Sequence, residues 1–270
     1  MLIDTHSHLF LEEFSEDLPQ VMERARKAGV SRIFMPNIDS MTIEPMLSVC
    51  ADYPDLCYPM IGLHPTSVNE TYERELAIVR ERLSAPNNFV AIGEIGLDYH
   101  YDLSPRDVQQ DVFRAQIRLA KEAGLPIALH MREAHDDGFA ILEEEGFPEA
   151  GTLLHCFNLD AAEVARWVEA GCYIAFGGPL TFKKADEVRE AAALVPADRL
   201  LTETDSPYMT PEPVRGTDCG PAHTIYTADV LCEVRGADTP EARAVLLAQL
   251  YENAQRLLNR PPTPWQRENA

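Results

Sequence analysis

The amino-acid sequence predicts a (β/α)8 barrel. Three observations carry that expectation. Apolar, β-rich runs alternate with helical stretches from end to end of the 270-residue chain. The runs are continuously apolar, the pattern of parallel strands covered on both faces. The polar residues that close those runs belong to the first, fourth, fifth, sixth and eighth of them. An open doubly wound sheet shows the same alternation, yet it brings together only strands near its switch point. A barrel gathers the ends of all its strands at one mouth.

The eight strands are expected near residues 2–6, 31–36, 57–62, 89–93, 126–130, 151–155, 172–176 and 199–203. Three helices are the clearest. One follows Ser104 and Pro105, with Ser104 as N-cap and Pro105 at the first helical position. Val108, Val112, Ala115, Leu119 and Ala123 recur in it at spacings of three and four, and Gly124 stops it. A second begins at Asp160, where Asp160 and Glu163 resemble a capping box, and ends at Gly171. A third runs from Pro240 to Leu258. One domain is expected over residues 1–270, without repeats or linkers, and with a loose Pro-rich tail from Pro261.

Hydrophobic residues make up 46% of the chain, enough for a large core. No apolar stretch approaches the ~20 residues of a membrane helix. The first strand is interrupted by Asp4, His6 and His8, so no signal peptide is expected and the cytoplasm is the default location. The cysteines are Cys50, Cys57, Cys156, Cys172, Cys219 and Cys232, without C-x-x-C spacing. They read as free, mostly buried thiols. Cys156 beside His155 reads as a packing residue rather than a nucleophile. The net charge of -21 argues against a broad basic grip on nucleic acid. It leaves room for a small phosphodiester held through cations.

The metal-compatible side chains close apolar runs. His6 and His8 share a side-chain direction, since a strand repeats every two residues. Glu94 sits between Gly93 and Gly96, and its two oxygens suit a bridge between cations. His130 and His155 end the fifth and sixth runs and supply imidazoles for a second metal. Asp205, in Thr204-Asp205-Ser206-Pro207, reads as a ligand of the first metal that can accept a proton from water. Four imidazoles and two carboxylates suit two divalent ions. Imidazoles favour zinc, whereas phosphoryl transfer often uses magnesium or manganese. Glu203 has three readings: it orients a ligand, holds a third cation or forms a buried ion pair. His64 and Arg132 are candidates to touch a substrate phosphate, with a structural ion pair as the rival for Arg132. Asp98 orients a ligand or fixes its own loop. His100, His135 and His223 have no comparable placement.

Asp4-Thr5-His6-Ser7-His8, Gly62-Leu63-His64-Pro65, Gly93-Glu94-Ile95-Gly96-Leu97-Asp98-Tyr99, Leu129-His130-Met131-Arg132, His155-Cys156-Phe157 and Glu203-Thr204-Asp205-Ser206-Pro207 follow one another in order. This series resembles the TatD family of metal-dependent hydrolases over nearly the whole chain. The resemblance implies an amidohydrolase-type barrel and metal ligands at His6, His8, Glu94, His130, His155 and Asp205. It also implies a deoxyribonuclease activity through a metal-activated water. Many members follow the Asp-Ser-Pro motif with an Asn-containing basic segment. Here the stretch from Arg215 to His223 keeps the Arg but lacks the Asn-Glu pair, which puts that loop's substrate contacts in question. The expected substrate is DNA ends or short single-stranded DNA, with no membrane and no obligate protein partner. The alternative is hydrolysis of a small amide, lactone or phosphoester, which the acidic surface favours mildly.

Overall fold

Where the sequence offers short apolar runs, the chain forms strands. They are β1 (Leu2–Asp4), β2 (Val30–Pro36), β3 (Cys57–Met60), β4 (Ile92–Asp98), β5 (Ile127–Arg132), β6 (Thr152–Leu154), β7 (Tyr173–Phe176) and β8 (Leu200–Thr202). The helices are α1 (Leu18–Lys27), α2 (Ile43–Asp52), α3 (Tyr72–Ser84), α4 (Arg106–Ala123), α5 (His135–Glu145), α6 (Ala161–Glu169), α7 (Asp186–Leu194), α8 (Thr224–Val234) and α9 (Pro240–Leu258). These elements come from a computed structural model that describes residues 1–101 and 105–258. None of its helices is long and apolar enough to cross a membrane.

The described residues fall into two compact units. The first comprises Met1–Met35, Tyr53–Cys57 and His155–Arg256. In it β1 runs parallel to β2, with Leu2 opposite Val30 and Asp4 opposite Ile33. β7 runs parallel to β8, with Ile174 opposite Leu200. The last strand also lies beside the first. Thr5 N–H donates to the Thr202 carbonyl at 3.1 Å, Asp205 N–H donates to that of His6 at 2.9 Å, and Ser7 and Ser206 form a parallel bridge. Adjacency of first and last strands is what a barrel requires and a doubly wound sheet lacks. Ile33, Phe34, Ile174, Phe176 and Leu200 are fully buried here.

The second unit comprises Pro36–Asp52, Tyr58–Leu154 and the chain from Leu257. Ile61 bridges to Ile92, β4 pairs in parallel with β5, and β5 with β6. The β4–β5 ladder runs from Ile92 opposite Ile127 to Asp98 opposite Arg132. β4 therefore starts later and runs further than the expected 89–93. Val90 and Ala91 make only isolated backbone bonds, to Pro59 and Ile61, whereas β5 continues beside β4 as far as Arg132. Glu94 is thus inside the strand, where the register shifts between Ile92 and Ile95. Gly96, at φ 141°, lies so close to β5 that a Cβ there would collide with the His130 carbonyl oxygen.

The helix boundaries show how local chemistry sets them. α4 begins at Arg106 with Pro105 in the capping position, one residue later than expected, and the expected cap Ser104 lies outside the described residues. Gly124 ends α4 at φ 63°. The Asp160 carboxylate caps α6 by accepting from the N–H groups of Ala162 (2.9 Å) and Glu163 (3.1 Å). The Glu163 side chain turns to Arg166 instead of closing a capping box. The tail from Pro261 lies outside the described residues.

Two buried glutamines one heptad apart on α4 clamp neighbouring backbone. Gln116 accepts from Leu63 N–H (2.7 Å) and donates to the Leu63 carbonyl (3.0 Å). Gln109 does the same for Asp98, at 3.0 and 3.1 Å. Leu63 also packs with Val68 and Val112 in a small cluster that includes Tyr72, Leu76 and Val108. Asn37 adds a third clamp by accepting from Gly62 N–H at 2.7 Å. Together these fix the segment that presents His64.

Replacing Gln116 by Leu should leave the Leu63 N–H and carbonyl buried without partners and cost about 2–4 kcal/mol in urea unfolding. A loss under about 0.5 kcal/mol would show that the clamp contributes nothing. The thiols give a second check. None of the six is in a disulfide and only Cys156 is part-exposed, while burial pushes Cys50, Cys172 and Cys219 up to about 12. Titration of the native protein with a disulfide reagent near pH 8 should label Cys156 alone, and the denatured chain should label fully.

Candidate metal centre

The geometry divides the candidates into three donor groups: His6, His8 and Asp205; His6, His155 and Glu203; and His64, Glu94 and His130. The first two belong to the first unit and the third to the second unit.

In the first unit, the segment after β1 is extended, so His6 and His8 point the same way. Their Nε2 atoms approach to 3.2 Å, and Asp205 Oδ1 lies 3.8 Å from His6 Nε2 and 3.6 Å from His8 Nε2. Metal–ligand bonds of ~2.05 Å set tetrahedral ligand–ligand edges at about 3.3 Å. The trio therefore already has the spacing of one face of a coordination shell, and its nitrogen and oxygen donors suit divalent zinc, manganese or magnesium. Asp205 is held at φ 55°, a conformation an Asp adopts more readily than most residues. Burial would raise its carboxyl, but His8, His155 and His6 outweigh burial and hold it below the usual range.

His155 stacks on His6, with centroids 3.8 Å apart and rings 12° from parallel. Its Nδ1 lies 3.3 Å from Glu203 Oε1, which also accepts from Cys156 N–H at 2.6 Å. Cys156 stands at φ 48° and points that N–H at Glu203. Glu203 is fully buried, and its Oε2 has no hydrogen-bond partner among the described residues. A buried carboxylate oxygen in that state is costly unless a cation meets it. This is the observation on which a metal fits the residues present.

In the second unit, the register of β4 and β5 sets Gly96 opposite His130. His130 Nδ1 lies 2.8 Å from Glu94 Oε1, and its Nε2 lies 2.9 Å from Asp98 Oδ2. With Nε2–H given to Asp98, Nδ1 presents a lone pair toward Glu94, and two facing acceptors call for a proton or a cation between them. Burial would raise the Asp98 carboxyl, but His130 and the N–H groups of Tyr101 and His100 hold it below its usual range. Asp98 thus both orients His130 and fixes its own loop. His64 Nδ1 accepts from Thr66 N–H at 3.1 Å, which leaves the proton on Nε2, 3.4 Å from Glu94 Oε1. That tautomer makes His64 a donor rather than a ligand. Arg132, opposite Asp98 in the ladder, lays its guanidinium over the Tyr101 ring at 5.0 Å.

His100 pairs with Glu133 at 2.7 Å on the surface, and His223 Nδ1 accepts from Gly220 N–H at 3.2 Å. Sequence reasoning missed Asp4. Its buried carboxylate accepts from Thr204 N–H (2.9 Å), Thr204 Oγ1 (2.6 Å) and His6 N–H (3.2 Å). It ties the His6 segment to the Asp205 segment. Burial pushes its carboxyl well above the usual range despite those donors. Its signal was visible as a lone acid inside the first apolar run. Gln109 and Gln116 were also missed, although two amides on an apolar helix face are a legible anomaly.

Residues 3–259 match the family described as TatD related DNase. A Bacillus subtilis (strain 168) relative, described as the uncharacterized metal-dependent hydrolase YabD, is 44% identical over 95% of this chain and 98% of its own. The 3'-5' ssDNA/RNA exonuclease TatD of Erwinia tasmaniensis is 34% identical over 96% of this chain and 100% of its own. Among solved structures, YjjV of Escherichia coli K12, a TatD homologue, superposes with a TM-score of 0.89 at 31% identity, over 96% of this chain and 98% of the other. The shared fold is the (β/α)8 barrel.

Asp4→Ala should strand three buried donors and destabilise the protein by about 3 kcal/mol, whereas Asp4→Asn keeps an acceptor for the backbone N–H groups and should cost about 1 kcal/mol. Equal losses in denaturant unfolding would contradict the tie between the two segments.

Proposed function

Because the chain belongs to the TatD related DNase family and is a metal-dependent hydrolase, we propose that it cleaves phosphodiester bonds at DNA ends or in short single-stranded DNA with two divalent cations. The observation that carries the reading is the pair of donor groups in the first unit, His6 with His8 and Asp205, and His6 with His155 and Glu203, where the buried Glu203 Oε2 has no hydrogen-bond partner among the described residues. The name of the Erwinia relative supports the choice of substrate. In the first unit His6, His8 and Asp205 would hold an ion; His155, expected with His130 at a second ion, stacks on His6 instead and would join this group, and in the second unit Glu94 and His130 would supply the other ion's ligands.

Such ions, once bound, polarise a phosphoryl oxygen and make a water molecule acidic near neutral pH. Asp205 then takes the proton of the attacking water. The imidazoles that lower its pKa keep the carboxylate ionised, and so proton-free, while making it a weaker base. His64 presents Nε2–H to a phosphate oxygen, in the tautomer that Thr66 fixes. Arg132 supplies a guanidinium braced by Tyr101. Asp98 keeps His130 in register. Scattered cysteines outside disulfides suit the reducing cytoplasm, which is part of this reading. One barrel domain with no obligate protein partner completes it.

Metal-free protein reloaded with magnesium, manganese or zinc should release nucleotides from single-stranded DNA, and Asp205→Asn and Glu94→Gln should each lower kcat at least about 100-fold. Metal analysis should find two ions per chain. Absence of release with every metal, from folded and loaded protein, rejects the reading. Turnover of lactones or amides in its place would favour the small-substrate alternative, to which the net charge of -21 is hospitable.

A further inference from the structure

Tyr208 lies three residues past Asp205, and its N–H donates to the Asp205 carbonyl at 2.8 Å, closing a turn. That turn is held in place. Cys219 N–H donates to the Pro207 carbonyl at 3.1 Å, and Gly178 packs so tightly that a Cβ there would collide with the Met209 carbonyl oxygen. A fixed backbone thus carries a tyrosine that is 49% exposed. The Tyr208 centroid lies 6.5 Å from that of His8, and the part-buried Phe10 ring lies 5.7 Å from the same imidazole, both edge-on. Two aromatic rings therefore adjoin the His6, His8 and Asp205 group.

A net charge of -21 leaves this chain little cationic surface with which to track a phosphate backbone. Affinity for nucleic acid has to come from the cations and from contacts that carry no charge. Every nucleobase offers a π-face, and stacking on an aromatic ring is tolerant of sequence and unaffected by screening. We propose that Tyr208, together with Phe10, is the stacking seat for the nucleobase next to the scissile phosphodiester. This inference rests on the phosphodiesterase reading and names the part of the substrate that it recognises. The seat needs an unpaired base, so single-stranded ends are preferred over blunt duplex ends.

The test is binding by fluorescence anisotropy with calcium in place of the active metals. Two end-labelled single-stranded oligonucleotides are compared, identical except that one has an abasic terminal nucleotide. Wild type should bind the base-bearing strand about tenfold more tightly than the abasic one. Tyr208→Ala should abolish that difference by weakening only the base-bearing strand, and Tyr208→Phe should keep it. Raising the salt should weaken both strands and preserve their ratio. Equal binding of the two strands by wild type, or equal weakening of both in Tyr208→Ala, overturns the inference. Hydrolysis is followed separately: its absence alongside a persisting base preference would count against the phosphodiesterase reading and leave the seat standing.

Discussion

Backbone just beyond the end of a strand has lost its ladder, and its N–H and carbonyl groups still demand partners. In this chain buried side chains supply them. Asp4 satisfies His6 and Thr204, Gln116 satisfies Leu63, Gln109 satisfies Asp98, and Asn37 satisfies Gly62. Each of these stands within two residues of a donor group or at a residue that orients one. The position of the chemistry is therefore an outcome of hydrogen-bond satisfaction. A side chain chosen for packing alone at 4, 109 or 116 would free the very segments that have to be rigid.

The second theme is the concentration of negative charge and lone pairs in buried places. Asp4, Glu94, Asp98 and Glu203 are all nearly inaccessible to solvent. Their neighbours differ, and so do their responses. Imidazoles beside Asp98 and Asp205 keep those carboxyls ionised, whereas Asp4, facing only neutral donors and the nearby Glu203, is driven toward its protonated form. A protein gains nothing in stability from gathering such groups. Within each unit, carboxylates and imidazoles gathered this closely make sense as a place prepared for positive charge.

Much of this was legible in the sequence because two periodicities, continuous apolar runs and helical spacing, report burial directly. The strands appear in the expected order, and α9 has the expected ends. His6 and His8 converge because alternate residues of an extended segment share a direction. The β4 offset was not legible, since Phe89 to Ala91 are as apolar as a strand, yet the ladder with β5 begins only at Ile92. What distinguishes them is the length of the partner strand, a tertiary property. Asp4, Gln109 and Gln116 escaped notice because an isolated polar residue in an apolar pattern has no signature of its partner. Glu203 stayed open among three readings; the structure sets it against His155 and the Cys156 N–H, a relation between residues 47 and 48 positions apart. Tyr208 was invisible for the opposite reason, since exposure beside a buried cluster leaves no periodic trace.

Gln109 and Gln116 ride on one helix, so the end of β4 and the Leu63 segment that they grip share a common mount. A jolt to α4 carries Leu63 and Asp98 along in step and leaves their alignment intact. Instrument makers bolt paired mirrors to a single plate for that reason. Thermal agitation of the surrounding surface then registers as a drift of the whole bench, and the His64 and Asp98 segments stay focused on each other.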